Sequence, residues 1–209
     1  MDLTSDYFVR GISRSNDQAA LQLDLYYLTS PGFVAGVFAS NAQITPNEPR
    51  NAELSGFLGY IRPLDADWQA KIIVSNYSYP WNKHGTKYNY DEVDVETVFR
   101  GWLNLTLSYS PNFPRYASEE GLVGVSAESA EINIQRPLFR KLSATGGIGY
   151  YYVGGYDATG YTYFSAGAAY DLAPVTLTVS YVDASAAAKT LSYNSAYGGK
   201  WAGTILWRF

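Results

Sequence analysis

Cysteine is absent from the chain, so no disulfide constrains it and no thiolate chemistry can be built on it. Histidine is nearly absent: His84 is alone. A triad or an imidazole-rich metal centre therefore has little to draw on. Charge is sparse too, at 16% of residues against roughly a quarter in an average soluble domain. The net charge of -4 provides no basic surface for a phosphate backbone, which argues against nucleic acid as a partner. No run of about eighteen apolar residues occurs, which excludes a helical membrane span. No secretory leader is expected in this stretch, because Met1 is followed at once by polar Asp2, Thr4, Ser5 and Asp6. The expectation is that Met1 is an expression start replacing a removed leader. An open reading frame beginning at this Met1 would count against export.

Tyrosine, in contrast, is abundant, with 20 copies. Its apolar ring and polar tip suit a surface that is half wet and half greasy. A period of two runs along the chain. Val175, Thr176, Leu177, Thr178, Val179, Ser180, Tyr181 alternates apolar with hydroxylated side chains. So do Leu103 to Tyr109, Leu21 to Tyr27 and Glu131 to Gln135. This is the pattern of strands with one dry and one wet face.

About twelve such strands can be placed, beginning near Leu3, Gln18, Gly32, Asn51, Trp68, Tyr90, Trp102, Leu122, Leu142, Tyr161, Val175 and Tyr197. Tight connections (Ser30 to Gly32, Pro63 to Asp67, Arg100-Gly101, Arg136 to Lys141, Asp171 to Pro174) alternate with mostly longer ones. The longer set is Ser13 to Asp17, Ala42 to Arg50, Pro80 to Lys87, Pro111 to Glu120, Gly154 to Gly160 and Asp183 to Ala196. Short turns on one side and longer loops on the other describe an outer-membrane barrel. The expected fold is all-β: a transmembrane antiparallel up-and-down β-barrel of about twelve strands, forming a single domain over residues 1–209, with both termini periplasmic. A soluble sandwich or barrel also alternates, with its apolar face inward. Three features favour the membrane: a Leu- and Val-rich dry face, aromatics at strand ends, and a wet face too polar to pack as a core.

The last strand ends on Phe209. Counting back in twos gives Trp207, Ile205, Gly203 and Trp201, and the other face carries Arg208, Thr204, Ala202 and Lys200. A terminal aromatic with alternating apolar residues behind it resembles the signal read by the bacterial barrel-assembly machinery, which assigns Trp207 and Phe209 as the assembly signal.

The opening Thr4-Ser5-Asp6-Tyr7-Phe8-Val9-Arg10-Gly11-Ile12-Ser13 resembles the start of the proteobacterial porins labelled the TorF family. Gly32-Phe33-Val34-Ala35-Gly36-Val37-Phe38-Ala39-Ser40-Asn41 extends the likeness, followed by Glu53-Leu54, Gly59-Tyr60, Tyr77 to Pro80 and Tyr90-Asp91-Glu92. The resemblance spans almost the whole chain. It implies an outer-membrane location and a pore, and it brings no catalytic residues or cofactors.

Parity then assigns a lumen. Strand one offers Asp6 and Arg10, strand two Gln22 and Asp24, strand four Glu53, and strand five Gln69 and Lys71. Strand six gives Glu92, Asp94 and Glu96, then Arg100; strand seven gives Asn104, and strand eight Glu131, Asn133 and Gln135. Strand twelve adds Lys200 and Arg208. An Arg or Lys aimed at lipid at mid-depth would cost roughly 2–4 kcal/mol, so the shared parity of the charges marks the wet face. In the row Glu92, Asp94, Glu96, like charges stand about 7 Å apart along one strand. The row reads either as a cation-attracting wall or as a structural network paired with Lys71 and Arg10 or Arg100. Inward-parity aromatics, among them Tyr26, Phe38, Phe57, Tyr77, Tyr79, Tyr151 and Tyr163, would narrow the passage. The run Thr145 to Gly149 reads as room for a neighbouring aromatic, not as a phosphate cradle.

Two functions from different classes follow. One is a passive, cation-preferring channel for small hydrophilic solutes. The other is a closed structural or surface-binding barrel acting through its extracellular loops. The expected partners are outer-membrane lipids, the barrel-assembly machinery and small hydrophilic solutes or cations. No cofactor, metal or catalysis is expected. A solitary loop histidine (His84) is usually only solvated, and Glu119 and Glu120 read as a solvated loop tip.

Overall fold

The computed structural model describes residues 1–43, 51–82, 85–117, 121–155, 158–191 and 198–209. His84, Glu119 and Glu120 lie outside the described residues. The wall strands are β1 (Asp2–Thr4), β4 (Ala20–Leu28), β5 (Phe33–Ala42), β6 (Asn51–Pro63), β7 (Trp68–Ser78), β8 (Tyr90–Phe99), β9 (Leu103–Ala117), β10 (Gly121–Phe139), β11 (Leu142–Val153), β12 (Thr159–Asp171), β13 (Val175–Ala184) and β14 (Lys200–Trp207). Two further short strands, β2 (Phe8–Val9) and β3 (Ile12–Ser13), pair only with each other. The twelve wall strands form one closed antiparallel barrel, in which β1 pairs with β14 on one side and β4 on the other. Closure leaves no open sheet edge to seed aggregation.

The alternation read from the sequence becomes two faces. Apolar side chains such as Leu58, Leu107 and Val179 point out and are 66%, 62% and 55% exposed. Such a surface is stable against hydrocarbon and not against water. Aromatics gather towards both ends of the outer wall. Phe33–Tyr60 and Trp68–Phe99 pack at 5.0 Å and 4.9 Å near the short turns, and Tyr181–Trp201 packs at 5.5 Å towards the long loops. Aromatic girdles of this kind flank a transmembrane barrel's apolar band. Trp207 and Phe209 are exposed at the short-turn end.

Three elements depart from the sequence reading. The stretch Pro111 to Ala117 continues β9 instead of forming a loop, with an extra residue accommodated as a bulge opposite Val125–Ala127. A bulge is where a strand tolerates proline, because the ladder is already interrupted there. Likewise β10 runs on to Phe139, beyond the turn expected from Arg136. Most consequential is the first wall strand, which is only three residues long instead of reaching Ser13. After Thr4 the chain leaves the wall, fastened there as the Ser5 amide donates to the Gly203 carbonyl and the Gly203 amide to the Ser5 hydroxyl.

Residues 5–19 then fold inward as a hairpin. Its tip is Arg10-Gly11, with φ of 50° and 78°, and Val9 opposes Ile12. Two consecutive positive φ values make a tight turn of the hand that matches strand twist, and glycine adopts the second without steric cost. Gly11 is needed for space as well: a Cβ there would stand 2.7 Å from the Tyr163 Cβ.

Candidate functional site

The inward face of the wall collects the polar side chains. Cross-strand register aligns Gln22 with Ser40 and Glu53, Ser75 with Glu92, Asp94 with Ser108, and Lys71 with Glu96 and Thr106. Glu131 lies opposite Thr106, and Asn133 opposite Asn104. Asp24 shares the parity of Gln22, and Gln135 that of Asn133, though Gln135 is exposed towards the short-turn end. Lys200 begins β14 on the inward parity. Arg208 lies just past the end of β14 and donates to the Thr176 hydroxyl at 3.2 Å.

One sequence assignment fails. Arg100 does not line the lumen. It sits with φ 48° in the tight turn between β8 and β9, and its guanidinium pairs with Asp67 at 2.7 Å. That pair is exposed, because a residue at the turn itself has left the alternation that aims side chains inward. Asp6 and Arg10 are also displaced from their expected strand. They lie within the barrel, but on the hairpin.

The hairpin is bonded to several sides of the wall. The Tyr7 hydroxyl donates to Glu53 at 2.8 Å, and the Tyr79 hydroxyl donates to the same carboxylate at 2.7 Å. Arg10 pairs with Glu92 at 2.8 Å, with both side chains nearly buried, and its guanidinium lies 4.6 Å from the Tyr151 ring centroid. The Tyr161 hydroxyl donates to the Arg10 carbonyl at 2.9 Å. Lys200 pairs with Asp17, where the segment returns to the wall. Within the segment, the Ser13 and Ser15 hydroxyls donate to Asp6 at 2.5 Å and 2.7 Å. Burial pushes the Asp6 carboxyl above its ordinary range, and those two hydroxyls pull it back.

The acidic row is thus partly neutralised. Glu92 belongs to Arg10, and Glu96 to Lys71 at 2.5 Å, with the Asn104 amide also donating to Glu96 at 2.6 Å. Among the described residues no hydrogen bond or ion pair engages the side chain of Asp94 or Asp24. Glu131 accepts from Asn133 and from the Tyr163 hydroxyl.

Three chambers result, and Arg10 lines all of them; two of these differ most in charge. The short-turn chamber, about 500 Å³, is faced by five carboxylates (Asp24, Glu92, Asp94, Glu96 and Glu131) and two cations, Lys71 and Arg10. The loop-end chamber, about 340 Å³, is lined by Arg10, Arg14 and Arg115 with Tyr79, Phe113, Tyr151 and Tyr161, and by no described Asp or Glu. Arg115 donates to the carbonyls of Val153 and Gly154 at 3.0 Å and 2.9 Å. Sequence parity found the acidic wall. It did not find Arg14, or the ring contacts of Phe113 with Tyr90 and Tyr151, because those depend on the hairpin's path and the β9 bulge.

A barrel with an apolar exterior and a charged, subdivided interior can be compared with known proteins. A family model matches residues 1–207. The chain belongs to the Gcw_chp family, bacterial proteins of unknown function. No curated protein sequence matches this Gcw_chp chain. Among solved structures it is similar to the NanC porin, with a TM-score of 0.69 at 9% identity, covering 100% of this chain and 99% of that one. It is also similar to the KdgM porin, at 0.58 and 11% identity, covering 100% and 98%. A second KdgM structure, in complex with disordered oligogalacturonate, gives 0.59 at 11% identity, covering 100% and 99%. At these identities the likeness establishes the fold: this Gcw_chp chain is a transmembrane β-barrel with the fold of those structures.

Proposed function

We propose that this Gcw_chp barrel is a narrow outer-membrane channel for passive diffusion of small hydrophilic solutes, with a preference for cations. The short turns and both termini face the periplasm in this reading, and the C-terminal Trp207 and Phe209 address the chain to the barrel-assembly machinery. Grouping with the TorF porins belongs to the same reading and rests on the Thr4 to Ser13 block. The observation that carries it is the short-turn chamber, where five carboxylates face two cations inside a closed wall. Rings of Asp and Glu draw cations into a pore and repel anions. The test is a planar-bilayer recording under a salt gradient. The expected result is discrete conductance with a cation-selective reversal potential. Absence of conductance from well-folded protein would overturn the open channel, and an anion-selective potential would overturn the stated preference.

A second reading has an observation of its own. Tyr7 and Arg10 tie the hairpin to the acidic wall, and Tyr161 ties it to the opposite side. A barrel stoppered in this way could act through its extracellular loops. Zero conductance, together with recovery of a partner on the loops, would favour that reading over the first.

A further inference from the structure

The loop-end chamber has a chemistry that the channel reading does not use. Its distinctive cation is Arg14, which is carried on the inward hairpin. Arg10 has its counter-charge in Glu92. The side chain of Arg14 makes no ion pair or hydrogen bond among the described residues, and no described Asp or Glu lines the chamber. A largely enclosed guanidinium with free donors is a ready acceptor of a carboxylate, which it can hold through two parallel hydrogen bonds. Six of the other lining residues are aromatic, and the remainder are mostly aliphatic or hydroxylated. Phe113 meets Tyr151 edge-on at 5.7 Å, and Tyr151 meets Tyr161 edge-on at 5.8 Å. Rings arranged this way give faces and edges to a further ring. The Tyr151 ring is nearly buried, with the Arg10 guanidinium beside it.

We propose that this chamber binds a small aromatic carboxylate, with the carboxylate on Arg14 and the ring against Phe113, Tyr151 and Tyr161. A cavity of about 340 Å³ is within the range of small-molecule sites. A polyhydroxylated acid fits less well. The described lining offers hydroxyls of Ser, Thr and Tyr and arginine donors, but no carboxylate or amide side chain to accept from a set of hydroxyls, and burying them unpaired is unfavourable. The proposal goes beyond the channel reading, because occupation of the chamber does not require passage through the barrel.

The test is calorimetric titration of the full chain in detergent micelles with benzoate, with benzamide as the uncharged analogue, and with glucuronate as the hydroxylated acid. Benzoate is expected to saturate and to bind about tenfold or more tighter than either. Arg14→Gln is expected to remove that advantage over benzamide. The comparison of ligands on the unaltered chain carries the test even if the variant does not fold. Absence of saturable benzoate binding, equal affinity for benzamide, or glucuronate binding as tightly as benzoate would each overturn the proposal.

Discussion

The two chambers share one wall and differ in the sign of their charge. The short-turn chamber is acidic, and its carboxylates all stand on wall strands: β4, β8 and β10. Among the described residues the loop-end chamber is basic, and two of its three arginines, Arg10 and Arg14, stand on the inward segment. The wall therefore supplies the negative charge of these chambers, and the hairpin supplies two of their four cations, Arg10 and Arg14. A short insertion of chain, not a change in the barrel, is what separates the two environments.

The strongest way to break the comparison is to remove the hairpin. Thr4 and Ala20 are already register partners across β1 and β4, so a two-residue turn can replace residues 5–19. The expected outcome is a several-fold rise in single-channel conductance and a stronger cation preference, read from reversal potentials. An unchanged conductance would mean that the hairpin does not limit the passage.

Next in size is the Arg10–Glu92 pair. Arg10→Ala leaves a nearly buried carboxylate without its partner, and loss of one member of a buried pair costs roughly 3–5 kcal/mol. The barrel should unfold at lower temperature, followed by its heat-modified migration on a gel. Arg10→Gln combined with Glu92→Gln should recover most of the loss. Equal destabilisation by the single and the double changes would contradict the pairing.

Gly11→Ala should have a smaller effect, about 1–2 kcal/mol, from a left-handed backbone that disfavours a Cβ. The near contact with Tyr163 adds to it and should loosen the hairpin. Increased current noise with little change in mean selectivity is the expected recording. A trace with the parent's noise and mean current would place the hairpin tip elsewhere.

Asp94→Asn sharpens the account in another way. Its side chain makes no bond among the described residues, so selectivity should fall while stability stays within about 0.5 kcal/mol of the parent. The smallest effect belongs to Arg100→Ala. Its pair with Asp67 is exposed, so stability should change by no more than about 1 kcal/mol, and selectivity should not change.

The wall was legible in the sequence because period two is a local property. Glu53, Lys71, Glu92, Asp94 and Glu131 all keep the parity that alternation assigned to them. The hairpin was not legible from that pattern. Asp6 and Arg10 on one parity, with Tyr7 and Val9 on the other, read as a continuing strand. One local signal did exist. Arg10-Gly11 and Arg100-Gly101 are the same dipeptide and adopt the same turn, with φ of 50° and 78° against 48° and 71°. The second pair stands between two long strands and reads at once as a turn; the first is followed by too short a strand to be noticed. What sends the first pair inward is tertiary: Glu53, Glu92 and Tyr161 wait on the wall to bond Tyr7 and Arg10. No pattern within residues 5–19 contains those partners.

Because the chain has no cysteine, introduced thiols report the two chambers directly. Thr159→Cys places one beside Arg115 at the loop end, and Thr106→Cys places one opposite Glu96 and Glu131 in the short-turn chamber. The measurement is the ratio of modification rates with an anionic and a cationic methanethiosulfonate reagent at each site. The account predicts that the anionic reagent is favoured at residue 159 and the cationic one at residue 106. The same ratio at both sites would contradict the division of the lumen into chambers of opposite charge.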